Sequence, residues 1–181
     1  MKNRFLLFFL VSLCFQNSIE AQKEGTIEKI GDFTELSLPA MALTMTIVKK
    51  DKEGIKQLIL SEGINLAITL GLKTVIDKER PIMNDSSDSF PSGHTAIAVH
   101  SATFIYKRYG WQYGLPALAA SAFVGYSRIH ADKHDEVDVL FGALIGAGSA
   151  FLMTTPFEDK NIEVHPELSS RSVGMRVLYE F

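Results

Sequence analysis

The sequence predicts an all-α protein, a helical bundle of about five helices with a short extended C-terminal tail. Two observations predict it. Apolar residues recur at three- and four-residue spacing through most of the chain, and alternating Val-rich stretches are missing until the last few residues. A length of 181 residues with 46% apolar residues fits one domain with a real core. The net charge of −3 supplies no basic field, so nucleic acid is not expected as a partner.

Residues 1–21 read as a secretory signal peptide. Lys2 and Arg4 precede an apolar run from Phe5 to Phe15, and mostly polar residues then lead to a small-residue boundary at Ala21. The run is about ten residues, short of the roughly 20 that a membrane span needs. This places the mature protein outside the cytoplasm, on the periplasmic side of a cell envelope. Cys14, the only cysteine, lies in that run. Its removal excludes disulfides, thiolate metal sites and cysteine nucleophiles.

Residues 22–36 are mostly polar and patternless and read as a linker; the helical body follows over residues 37–157. Ser37 to Lys49 is apolar and Met-rich, a short helix. Ile55 to Ile76 is amphipathic, interrupted by Lys56, Glu62 and Lys73. Asp77 to Phe90 carries charges, serines and Pro81 without periodicity, and reads as a loop. Thr95 to Arg108, Pro116 to Ile129 and Val139 to Met153 are helical in pattern. Residues 158–181 form the tail, where apolar residues alternate from Val173 to Phe181 as in a strand that pairs or packs on the body.

Two uncharged stretches, Tyr109–Ser127 and Val139–Phe157, reach the length of a membrane span. Gly142 and Gly146 have the small-xxx-small spacing that lets helices approach closely. Trp111 and Tyr113 suit a membrane interface. A mean hydropathy of +0.11 is low for a fully embedded protein, so the expectation is a body that touches or partly enters a membrane.

Three polar clusters interrupt this apolar scaffold. Lys73 and Arg80, taken alone, read as solvated charges, and Asp77, Lys78 and Glu79 between them fit that account. Ser92-Gly93 reads as a helix N-cap. A helix start also directs unpaired N–H groups and a positive dipole end outward, a seat for an anion that His94 would reach as well. Arg128 ends an Ala-rich helix that has no other charge. His134 and Asp138 fall on one face if their turn is helical. Such a pair is either a surface ion pair or an imidazole whose tautomer is fixed and whose basicity is raised by its carboxylate. A metal reading competes, because His130 and His134 are also four apart among Asp132, Asp135, Glu136 and Asp138. No Glu follows the first His as in zinc proteases, and Arg128 and Lys133 crowd the place of a dication. Tyr126, beside the Ser-Arg pair, reads as core packing.

In their order along the chain, K-T-V-I-D-K-E-R-P (73–81), P-S-G-H (91–94) and S-R-I-H-A-D-K-H-D-E-V-D (127–138) resemble the type-2 phosphatidic acid phosphatases. These are lipid phosphate phosphatases related to the vanadium haloperoxidases, and the resemblance covers roughly Leu58 to Leu152. It implies a phosphatase working through a phosphohistidine, with His134 as nucleophile, Asp138 orienting it, and His94 as general acid and then base. Lys73, Arg80, Ser92, Gly93 and Arg128 would bind the phosphate. No metal and no cofactor are implied, since fixed cations can neutralise the phosphoryl oxygens and guanidinium forks bind them in pairs.

The implied partner is a phosphorylated lipid or a small phosphoester, met at a membrane surface. Phosphatidate, a polyprenyl diphosphate, lipid A and a soluble ester all fit, and the oligomeric state stays open. Two other readings use the same pocket: a vanadate-dependent haloperoxidase, and an envelope protein that binds phosphate without catalysis. Two departures from the family pattern bear on substrate. The short loop between Pro81 and Pro91 limits any lid, and Asp135 and Glu136 oppose polyanions.

Overall fold

The computed structural model describes residues 23–81, 88–157, 162–169 and 172–179; the expected signal peptide over 1–21 lies outside them. Five helices make the body: α1 (Lys23–Val48), α2 (Lys52–Val75), α3 (Gly93–Tyr109), α4 (Trp111–His130) and α5 (Glu136–Met153). The all-α expectation holds for this body. Beyond it, β1 (Ile162–Ser169) and β2 (Ser172–Tyr179) pair antiparallel with Ile162 opposite Tyr179, so the extended tail is a hairpin rather than one strand.

Local chemistry sets the helix boundaries. Asp51 caps α2 by accepting from the Gly54 amide at 2.8 Å. Gly110, at φ 89°, turns the chain between α3 and α4 in a region that other residues enter at a cost. Asp135 caps α5 in a reciprocal box with Asp138, which also fixes where Asp138 points.

Helix α3 is the axis of the bundle and touches each of the other four. Its Ala96, Ala98, Ala102, Phe104 and Ile105 are fully buried. Small residues let its neighbours approach. A Cβ on Gly142 would stand 2.4 Å from the Ser92 carbonyl oxygen, and one on Gly146 2.2 Å from that of Ala96. Helix α5 thus lies against the backbone of α3, as the small-xxx-small spacing predicts.

Three expectations change. Residues 22–36 are not a linker, because α1 begins at Lys23. The charges that hid its periodicity, Glu28, Asp32 and Glu35, pair with cations of the bundle. Helix α4 starts at Trp111 instead of Pro116; Gly114 serves as a contact point, where a Cβ would come within 2.4 Å of Tyr106. Among the described residues, the helices long and apolar enough to cross a membrane are α2 and α5, not the Tyr109–Ser127 stretch. In α2, Lys56 and Lys73 lie toward the ends, and Glu62 turns inward to His100. The outer faces carry exposed Ile59, Leu60, Leu70, Leu140, Leu144, Phe151 and Leu152, far more apolar surface than water-exposed helices present.

Candidate active site

Every site residue expected from the sequence lies at one end of the bundle. That end gathers the C-terminus of α2, the N-terminus of α3, the C-terminus of α4 and the N-terminus of α5. Backbone bonds tie the second polar cluster to the third and close the turn within the third. The Ser92 amide donates to the Asp138 carbonyl at 3.0 Å, and the Lys133 and His134 amides donate to the Arg128 carbonyl at 3.1 and 3.4 Å.

Asp138 is the hub. Fully buried, it accepts from the Ser89 hydroxyl at 2.5 Å and from Lys78 Nζ at 2.7 Å. Its Oδ2 faces His134 Nδ1 at 3.5 Å, and Ser89 Oγ stands at the same distance from that nitrogen. The carboxylate therefore holds one imidazole nitrogen and leaves the other for chemistry. His134 is 4% exposed. Burial, then the nearby Lys73 cation, lowers its pKa to about 4 against the pull of Asp138. At neutral pH the ring is uncharged, the form a nucleophile needs.

Lys78 corrects the solvated-charge reading. Besides Asp138 it donates to Asp135 at 2.6 Å. Burial works against its charge, but the bonds to Asp135 and Asp138 outweigh it and raise its pKa above the usual lysine value. Lys73 and Arg80 also leave the solvated class. Lys73 Nζ donates to the Asp88 carbonyl, and its stem runs past the Cα of Gly93, where a Cβ would come within 3.9 Å. Arg80 forms a two-pronged bond with the Asp88 carboxylate at 3.1 and 3.2 Å. Ser92 is fully buried and bonds Thr95 Oγ1 at 3.0 Å without capping the backbone of α3.

Across the site, α1 supplies carboxylates that sequence reasoning missed. Arg128, 1% exposed, places Nη1 2.8 Å from Asp32 Oδ1 and donates through Nη2 to the Glu28 carbonyl at 3.0 Å. His94 Nε2 lies 3.3 Å from Glu35 Oε2 and 3.8 Å from Asp32 Oδ1. Lys133 pairs with the Glu28 carboxylate. Arg80 acts electrostatically on both His94 and His134, which links the two imidazoles to one charge environment. The signal available in the sequence was the spacing of 28, 32 and 35, one face of a helix. Ser89 left no comparable trace.

The metal reading changes place. His130 stacks on Tyr126, their ring centroids 5.6 Å apart; Tyr126 is more than half exposed, not core. A different trio, Asp32, Glu35 and His94, brings donor atoms within 4.8 Å of one another. The Arg128 guanidinium already sits 2.8 Å from the Asp32 oxygen that a cation would need, a poor neighbour for a dication. An open depression of about 420 Å³ reaches His134 from outside, between Pro81, Ile129 and Val137.

The PAP2 superfamily model matches residues 54–162. A lipid A 4'-phosphatase of Helicobacter pylori (strain J99) is 32% identical over 82% of this chain and 79% of its own length. A lipid A 1-phosphatase of Porphyromonas gingivalis is 33% identical over half of this chain and 22% of its own. Among solved structures, LpxE of Aquifex aeolicus superposes with a TM-score of 0.63 at 25% identity, covering 82% of this chain and 93% of that one. A transmembrane PAP2-type phosphatidylglycerolphosphate phosphatase of Bacillus subtilis, at 23% identity and a TM-score of 0.58, shares the fold over 82% of this chain and 91% of that one.

Proposed function

The chain belongs to the PAP2 superfamily, and from that premise we propose that it is a metal-independent phosphatase of membrane lipid phosphates, of the lipid A kind, acting through a phosphohistidine at His134. The observation that carries this reading is the buried Asp138–His134 pair beside Lys73 and Arg80. With Nδ1 held by Asp138, the free Nε2 of His134 attacks phosphorus. The ester P–O bond breaks as the new N–P bond forms, and His94 gives its proton to the leaving oxygen. Water then attacks the phosphohistidine, its proton passing to His94, and the N–P bond breaks to release phosphate. Lys73, Arg80 and Arg128 neutralise the equatorial oxygens, the task that divalent cations perform in other phosphoryl-transfer enzymes.

A lipid substrate is supported by the exposed apolar flanks of α2 and α5, which are long and apolar enough to cross a membrane and suit a bundle seated in one with the site at one end. The export expected from residues 1–21 puts the site on the outer side, toward the periplasm. Lipid A phosphate fits that side, and the names of the relatives from Helicobacter and Porphyromonas support it.

Phosphate release from lipid A, phosphatidate, a prenyl diphosphate and a soluble ester, measured with purified chain in detergent, tests the assignment. Lipid A is the preferred substrate, and His134→Ala abolishes turnover while thermal unfolding stays cooperative. Near-normal hydrolysis by that variant removes His134 from the nucleophile role.

A further inference from the structure

Helix α1 presents Glu28, Asp32 and Glu35 on one face to the cations of the site. Gly31 lies beside that face, at the contact with α4. Any side chain there would collide with Ser127, 2.0 Å from its Oγ, and come within 2.9 Å of Arg128 Nη2. Helix α1 is therefore fitted against Arg128 at backbone distance. The apposition is tight enough to bury Glu35 to 8% exposure and Arg128 to 1%.

Asp32 Oδ1 occupies an informative position. It stands 2.8 Å from Arg128 Nη1 and 3.8 Å from His94 Nε2. A phosphate oxygen gripped by Arg128 while its ester oxygen is within reach of His94 has to enter that space. Two anions cannot share it, so substrate must displace the carboxylate from the guanidinium. Glu35 stays beside His94, 3.3 Å from Nε2, and Glu28 beside Lys133. Any further anionic group carried next to the reacting phosphate would face these carboxylates.

We propose that Asp32 and Glu35 are specificity-determining residues: Asp32 holds Arg128 in place of the substrate phosphate until it is displaced, and the pair confines the site to monophosphates over diphosphates. The inference rests on the phosphatase reading above. It adds that a helix reaching outside the matched family segment sets how much negative charge the site accepts. Asp32 and Glu35 of α1 face His94, and Arg128 of α4, Lys133 of the α4–α5 turn and Arg80 of the α2–α3 loop act on it electrostatically. Neutralising either carboxylate leaves the cations in surplus.

The test uses full-length wild type, Asp32→Asn, Glu35→Gln and the double variant, each checked for cooperative thermal unfolding. Orthophosphate and orthovanadate serve as competitive inhibitors, and a matched prenyl monophosphate and diphosphate as substrates. Inhibition by orthophosphate tightens about tenfold in Asp32→Asn, and the diphosphate-to-monophosphate ratio of kcat/KM rises about as much in the double variant. Unchanged inhibition with an unchanged ratio overturns the inference. So does weaker inhibition, which would mean that Asp32 aligns Arg128 for the anion instead of competing with it. Should Asp32→Asn fail to unfold cooperatively, Glu35→Gln decides alone through the substrate ratio. Wild type that releases no phosphate from any ester defeats the phosphatase reading itself. Activity with an unmoved ratio and unmoved inhibition defeats only the role of α1.

Discussion

Replacing Lys78 with Met strands the most buried charge of the site. Lys78 bonds Asp138 at 2.7 Å and Asp135 at 2.6 Å; its side chain is 31% exposed, that of Asp138 not at all. Removing one partner of a buried ion pair costs about 3–5 kcal/mol, because the remaining charge stays out of water. Asp138 keeps the Ser89 hydroxyl and the Asp135 amide, and Lys78 is partly solvated, so the loss falls at or below the bottom of that range, about 2–3 kcal/mol. For a domain of this size that is a fall in Tm of roughly 4–12 °C. Thermal unfolding of the detergent-purified variant, followed by intrinsic fluorescence, measures it. Adding Asp138→Asn to Lys78→Met removes the stranded charge and recovers part of the loss, which isolates the pair from general packing damage. A Lys78→Met protein melting within about 1 °C of wild type would refute the reasoning, and Lys78 would return to the solvated surface.

Three more outcomes follow from named contacts. Gly146→Val drives a side chain into the Ala96 carbonyl, 2.2 Å from the first added carbon, and costs about 3 kcal/mol. Gly148→Ala meets nothing within 4 Å and melts at or above the wild-type temperature; similar melting of the two variants contradicts the close α3–α5 seat. His134 has a folded pKa of about 4 against an ordinary 6.5, so the unfolded chain takes up the proton first. Its contribution is complete above about pH 6.5 and is lost as pH falls toward 4, about 3 kcal/mol in all. Tm measured across that window therefore drops more steeply in wild type than in His134→Gln, and parallel curves count against the buried neutral imidazole. Phosphate release continues in excess EDTA and is blocked by orthovanadate; loss in EDTA with recovery on added zinc supports a metal site instead.

The parts legible in the sequence share a physical cause. Helices α3 to α5 bury small and apolar residues at helical spacing, a pattern that local sequence records directly. Helix α2 buries Leu58 among Ser61, Asn65 and Thr69 and turns most of its apolar residues outward. Gly142 and Gly146 could be read because close backbone approach admits few other residues. The three polar clusters stood out because charges and prolines break an apolar scaffold, and the structure brings Lys73, Arg80, Ser92, His94, Arg128, His134 and Asp138 to one end of the bundle.

What escaped depends on partners distant in the chain. The first half of α1 looked like a linker because its acidic residues satisfy cations about sixty to a hundred positions away, and no local pattern reports such pairing. Lys78 looked solvated for the same reason: its partners lie on α5 and on the cap before it. Ser89 sits two residues before Pro91 in a patternless loop, and only the fold puts its hydroxyl on Asp138.

Covalent chemistry at a single imidazole is the core of the mechanism, and trapping it is the most direct measurement. Substrate labelled in its phosphate is mixed with enzyme, the reaction is stopped in base within a turnover, and the labelled peptide is sequenced by mass spectrometry. The mechanism requires an acid-labile, base-stable phosphate on His134, accumulating further in His94→Asn with an ester whose leaving group needs no protonation, because water is no longer activated. Full turnover with no label on protein, or label on any side chain other than His134, contradicts it.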